Sequence, residues 1–158
     1  MIDIVKNVIV SNKVKNKIKV VLLSDIHFSK YFIIDNLDLI KNSVKKLEPD
    51  YICIAGDIID EVSVVYDTKM ISILNDFLND LAKLSKVFIS LGNHDIRENK
   101  DLLYFKDLKI DNLYLLNNSY YIDKKVVING YNMPRDYYYN NHGGEDAKVM
   151  YQDLLKNK

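Results

Sequence analysis

Tyr51-Ile52-Cys53-Ile54-Ala55-Gly56-Asp57-Ile58-Ile59-Asp60 sets an apolar, strand-forming run directly against a Gly-Asp turn and a second aspartate. The same join occurs on either side of it. Val20-Val21-Leu22-Leu23 runs into Ser24-Asp25-Ile26-His27, and Val87-Phe88-Ile89-Ser90-Leu91 runs into Gly92-Asn93-His94-Asp95. Short continuous apolar runs of this kind read as strands buried on both faces, as in a parallel sheet. Parallel strands finish at one edge of the sheet, and ligands collect there. The polar residues of the three joins, with their oxygens and imidazole nitrogens, would then meet with the donor chemistry of a divalent-cation site.

The intervening chain fits that reading. Ile33, Leu37, Ile40, Val44 and Leu47 keep helical spacing, and Pro49 closes the helix just before the central strand. Ile71, Leu74, Leu78, Leu81 and Leu84 repeat the pattern ahead of the third strand. This predicts β–α–β–α–β with short connections and right-handed crossovers. Upstream, residues 2–10 and 17–24 read as a hairpin turning at Ser11-Asn12-Lys13. Downstream, residues 98–109 read as a polar helix or an irregular stretch. Shorter strands are expected at 113–116, 120–122 and 125–128, turning at Asn117-Asn118 and Asp123-Lys124. A loop over 131–144 and a last helix over 145–156 complete the expectation.

Composition narrows the partners. The 158 residues carry 22 basic and 22 acidic side chains, so no polyanion-binding face is indicated and long nucleic acid is not expected. That length is most simply one domain, 1–158. No apolar run is long enough to span a bilayer and no secretory leader is evident, so cytoplasmic residence is the default expectation. The single cysteine, Cys53, lies within a strand and reads as a buried, inert thiol.

Each motif is weak alone. An Asp-x-His histidine is commonly a hydrogen-bonded core residue, Asp60 could simply start a helix, and Gly-Asn-His-Asp could be a plain turn. In one order, each at a strand end, they carry more weight. Asp57 follows Asp25 by 32 residues and Asn93 follows Asp57 by 36, the spacing of successive βαβ units.

Ser24-Asp25-Ile26-His27, Gly56-Asp57-Ile58-Ile59-Asp60 and Gly92-Asn93-His94-Asp95 resemble the blocks of the calcineurin-like metallophosphoesterases, closely over residues 17–95 and loosely beyond. The resemblance implies an α/β fold of mixed β-sheets sandwiched by helices. It also implies a phosphoester hydrolase that uses a metal-activated water for in-line attack on phosphorus. In that pattern Asp25 and His27 bind a first metal, Asp57 is shared by two, and Asn93 binds the second. His94 faces the leaving-group oxygen and Asp95 orients it, while Asp60 fixes the turn or supports a ligand. The cofactors implied are two divalent ions (Mn, Fe, Zn or Mg), and the substrate is a small phosphoester.

Two further histidine blocks of the family pattern are absent. The remaining histidine, His142, has glycines on the wrong side and reads as a loop residue. One metal, modestly bound, is therefore expected rather than two, with slow or no hydrolysis by this chain alone. The chain is expected to be truncated at its C-terminus, an inactive fragment in the alternative, and to lack part of the second sheet. Tyr and Ile residues of 113–128 would then lie exposed at a sheet edge open to association. Two other readings compete. A binding scaffold of the same fold has no use for Asp25, His27, Asp57, Asn93, His94 and Asp95 together. A Rossmann-type nucleotide site lacks Gly-x-Gly-x-x-Gly after the first strand.

Overall fold

Val20–Leu23 (β1), Tyr51–Ala55 (β2), Lys86–Ser90 (β3) and Leu113–Leu115 (β4) form one sheet in the order β1-β2-β3-β4, every neighbouring pair parallel. Helices Ile34–Leu47 (α1) and Thr68–Leu84 (α2) occupy the first two crossovers, with a 3-10 turn at Val62–Tyr66 ahead of α2. Ser119–Ile122 (β5) and Val127–Gly130 (β6) make a separate antiparallel hairpin. These elements come from a computed structural model that describes residues 2–31, 34–96 and 104–132. Parallel and antiparallel strands with helices are the α/β arrangement expected.

Strand alternation decides the layers. Ile52, Ile54, Val87 and Ile89 point into the main core, where they meet Leu37 and Val44 of α1 and Leu74, Phe77, Leu78 and Leu81 of α2. The opposite face carries Tyr51, Cys53, Phe88 and Tyr114, covered by Leu116, Tyr121 and Ile128. Rings pack within that second cluster, Phe88 stacked on Tyr114 at 5.3 Å and tilted against Tyr121 at 4.8 Å. Tyr51 donates its hydroxyl to Asp123 at 2.8 Å, and burial together with that carboxylate pushes the phenol up to about 12. Cys53 is half-buried, and desolvation raises its thiol away from reactivity.

The helices end where local chemistry stops them. Glu48 takes a left-handed backbone (φ 48°) just before Pro49, which disfavours a helical predecessor. Asp67 caps α2 by accepting the amide hydrogens of Lys69 and Met70. Lys41 ties the two helices together, 2.9 Å from Asp38 and 3.1 Å from Asp80. No described helix is long and apolar enough to cross a membrane.

Several expectations change here. The N-terminal hairpin does not form: residues 2–10 adopt no strand, and Val5, Val8, Ile9 and Val10 are exposed. A two-stranded ribbon with no surface to pack against is marginal in water, so apolar alternation alone does not make one. On β1, Val21 and Leu23 join the core, but Val20 and Leu22 are 53% and 67% exposed because the β5–β6 layer stops short of this edge strand. Of the aromatic residues expected at the open face, Tyr120 is exposed while Tyr114 and Tyr121 pack inward. Within 98–109 the described part begins at 104, with a helical turn over 104–107. His142, most of the 131–144 loop and the helix expected over 145–156 lie outside the described residues.

Candidate metal centre

Immediately past β1 and β2 the backbone does something unusual for residues with side chains. Asp25, His27 and Asp57 adopt φ values of 54°, 51° and 52°, next to Gly56 at 78°. The left-handed region is rarely occupied by non-glycine residues, and such positions gather at functional sites. What holds them is a backbone zipper between the two loops. The amide of Asp25 donates to Gly56 O at 3.2 Å and that of His27 to Asp57 O at 2.9 Å. Phe28 N to Ile58 O at 2.7 Å and Asp60 N to Phe28 O at 3.1 Å continue it. Phe28, Ile58 and Ile59 are fully buried beneath, so the strained turns rest on packed core.

The end of β3 is drawn against this pair through glycine. A Cβ on Gly92 would lie 2.1 Å from Asp57 Oδ1, and one on Gly56 would lie 2.5 Å from Gly92 N. Nothing larger than hydrogen fits at either position. The Asp57 carboxylate therefore lies over Gly92, where its Oδ1 accepts the amide hydrogen of His94 at 2.9 Å.

One ligand atom from each of Asp25, His27 and Asp57 falls within 4.8 Å of the others. Two carboxylates and an imidazole so placed suit a divalent cation. Asp25 is 66% exposed at its side chain, leaving the cluster open to solvent on one side, and Ser24 Oγ donates to its Oδ2. Asn93 follows Gly92 and opens the turn 93–96, on backbone adjacent to Asp57.

His94 has a different neighbour from the one expected. Its Nδ1 lies 3.0 Å from Asp60 Oδ1, which is also 3.2 Å from His27 Nδ1. The two imidazoles stand edge to face with centroids 4.9 Å apart. Asp95 does not orient His94: it is fully buried, with Oδ1 accepting from Ile58 N and Ile59 N at 2.9 Å and Oδ2 from Gly92 N at 3.0 Å. Adjacent residues in a tight turn direct their side chains apart, which sends Asp95 under the loops while His94 stays above them. Burial pushes the Asp95 carboxyl up to about 6, outweighing the amide donors that favour its charge, with Asp57 nearby adding to the rise. The place beside His94 belongs to Asp60, and the signal for it was the Gly-Asp-x-x-Asp spacing. A groove lined by Asn75, Asp76, Tyr104 and Lys109 lies elsewhere, between α2 and residues 104–110, and contains none of these residues.

The sequence profile of the calcineurin-like phosphoesterases matches residues 18–157. An uncharacterized metallophosphoesterase of Campylobacter jejuni is 38% identical over 94 residues, covering 56% of this chain and 24% of that protein. The chain thus spans about a quarter of the length of the curated relative it matches.

Proposed function

The chain belongs to the calcineurin-like phosphoesterase family, and from that premise we propose that it hydrolyses a small phosphoester with the help of divalent metal. The observation that carries this reading is the convergence of Asp25, His27 and Asp57 within 4.8 Å at the ends of β1 and β2. Asp25, His27 and Asp57 would hold a first ion, and Asp57 with Asn93 a second, weaker one. Such ions, when bound, supply Lewis-acid chemistry at phosphorus and its attacking water.

The remaining residues have tasks of their own. His94 protonates the leaving-group oxygen or hydrogen-bonds the phosphoryl oxygens, a contribution of about 10²–10⁴-fold for a positioned acid. Asp60, with Oδ1 3.0 Å from Nδ1 of His94, stands where it limits the positions that ring can take. Asp95 acts through the backbone, fixing Ile58, Ile59 and Gly92 and with them the carboxylate of Asp57.

Turnover of p-nitrophenyl phosphate and bis-p-nitrophenyl phosphate with Mn²⁺, for the wild type and Asp57→Asn, tests the proposal. Metal-stimulated turnover is expected in the wild type and should vanish in the variant. Turnover indifferent to that substitution would remove the catalytic claim from this cluster.

A further inference from the structure

The atoms around Asp60 describe a second cation cage, adjoining the cluster of Asp25, His27 and Asp57 and sharing His27 with it. A four-coordinate zinc ion with bonds of about 2.0–2.2 Å places neighbouring ligand atoms roughly 3.3 Å apart. Asp60 Oδ1 lies 3.2 Å from His27 Nδ1 and 3.0 Å from His94 Nδ1, and one ligand atom from each of the three residues lies within 4.8 Å of the others. His94 Nδ1 is buried and has no aligned hydrogen bond, even though a carboxylate oxygen sits 3.0 Å away. Asp60 Oδ1 thus hydrogen-bonds Nδ1 of His27 and lies beside the unbonded Nδ1 of His94, so the three atoms face one another as ligands of one ion would.

We propose that His27, Asp60 and His94 form a zinc site whose occupation switches the enzyme off. Two imidazoles and one carboxylate favour zinc over magnesium or manganese, which prefer oxygen. Three protein ligands also leave a fourth position open. The two cages share His27 through opposite nitrogens: Nε2 lies 3.7 Å from Asp25 Oδ1, whereas Nδ1 faces Asp60. A neutral imidazole has one free lone pair, so filling both cages requires removal of its second proton. Zinc beside Asp60 therefore weakens ion binding at the Asp25 side and replaces the Asp60 contact at Nδ1 of His94, holding that ring to the ion instead of leaving it to the substrate. The inhibitory consequence rests on the phosphoesterase reading, but the zinc site does not.

The chain has three histidines, so imidazole ¹⁵N NMR of the wild-type protein resolves the question directly. Zinc titration is expected to move Nδ1 of both His27 and His94 to metal-bound shifts. A zinc-induced change confined to Nε2 of His27 would overturn the proposal and leave phosphoester hydrolysis untouched. In parallel, Asp57→Asn should still bind zinc, and adding Asp60→Asn should weaken that binding by about tenfold or more. Cobalt substituted into Asp57→Asn should show intense tetrahedral visible bands that Asp60→Asn removes. Equal zinc affinity in the single and double variants, each with wild-type circular dichroism, would also count against the site.

Discussion

Three amide hydrogens from two separate loops converge on the buried carboxylate of Asp95, which makes this side chain a fastener for the loops beneath the metal cluster. An amide in its place keeps an acceptor for Ile58 N and Ile59 N but turns an N–H toward Gly92 N. Asp95→Asn is thus expected to cost about 1–3 kcal/mol in chemical denaturation at pH 7. The pH dependence has a definite sign. With the folded carboxyl at about 6 and the unfolded one near 3.9, the native state binds more protons between those values. Stability therefore rises as pH falls through that window, by up to about 3 kcal/mol from this group. In the metal-free protein the wild type should gain on Asp95→Asn between pH 7 and 4.5, widening the gap between them; a gap that stays constant or narrows on acidification contradicts the assignment. The sequence marked Asp95 as part of the site but not the direction of its side chain. Adjacent residues in a turn differ only by backbone torsions that the tertiary contacts set.

At the scale of elements, the helices were legible because amphipathic spacing and end signals agree. Buried Leu74, Leu78 and Leu81 keep the expected 3.6-residue period, and Asp67 supplies the cap. Removing that cap by Asp67→Ala should lower stability by about 1 kcal/mol, read from the denaturation midpoint, with catalytic constants unchanged. Buried strands were equally legible, since β2 and β3 fall within a residue of their apolar runs. The N-terminal hairpin failed for a physical reason. Val8, Ile9 and Val10 have strand propensity, yet a strand is decided by what its faces and edges meet. The left-handed turns at Asp25, His27 and Asp57 were not legible either, because these residue types ordinarily take other conformations.

At the scale of the molecule, the proposed metal ligands come from loops joined by hydrogen bonds and close glycine contacts, so an ion held there would fasten the strand ends of β1 and β2. Mn²⁺ at 100 times its dissociation constant should stabilise the fold by about 2.7 kcal/mol. For 158 residues that is a Tm rise of roughly 5–10 °C, reversed by chelation and absent in Asp57→Asn. A chain whose melting ignores manganese would contradict the placement of the ion between these loops. The second face of the sheet is unevenly covered: aromatic packing protects β2, β3 and β4, while Val20 and Leu22 of β1 remain open. Periodicity assigns both faces of β1 the same apolar weight and could not tell which was covered.

Residue order and spacing alone determined the parallel α/β core, the positions of the strand ends and the identity of the residues gathered there, because period, capping and turn chemistry are local properties. Tertiary structure alone decided that Asp60 rather than Asp95 stands beside His94, that Gly56 and Gly92 touch, and that His27 faces carboxylates from both of its nitrogens. Those facts depend on how separate loops approach in space, which the hydrogen bonds and packing between them fix and no local pattern encodes.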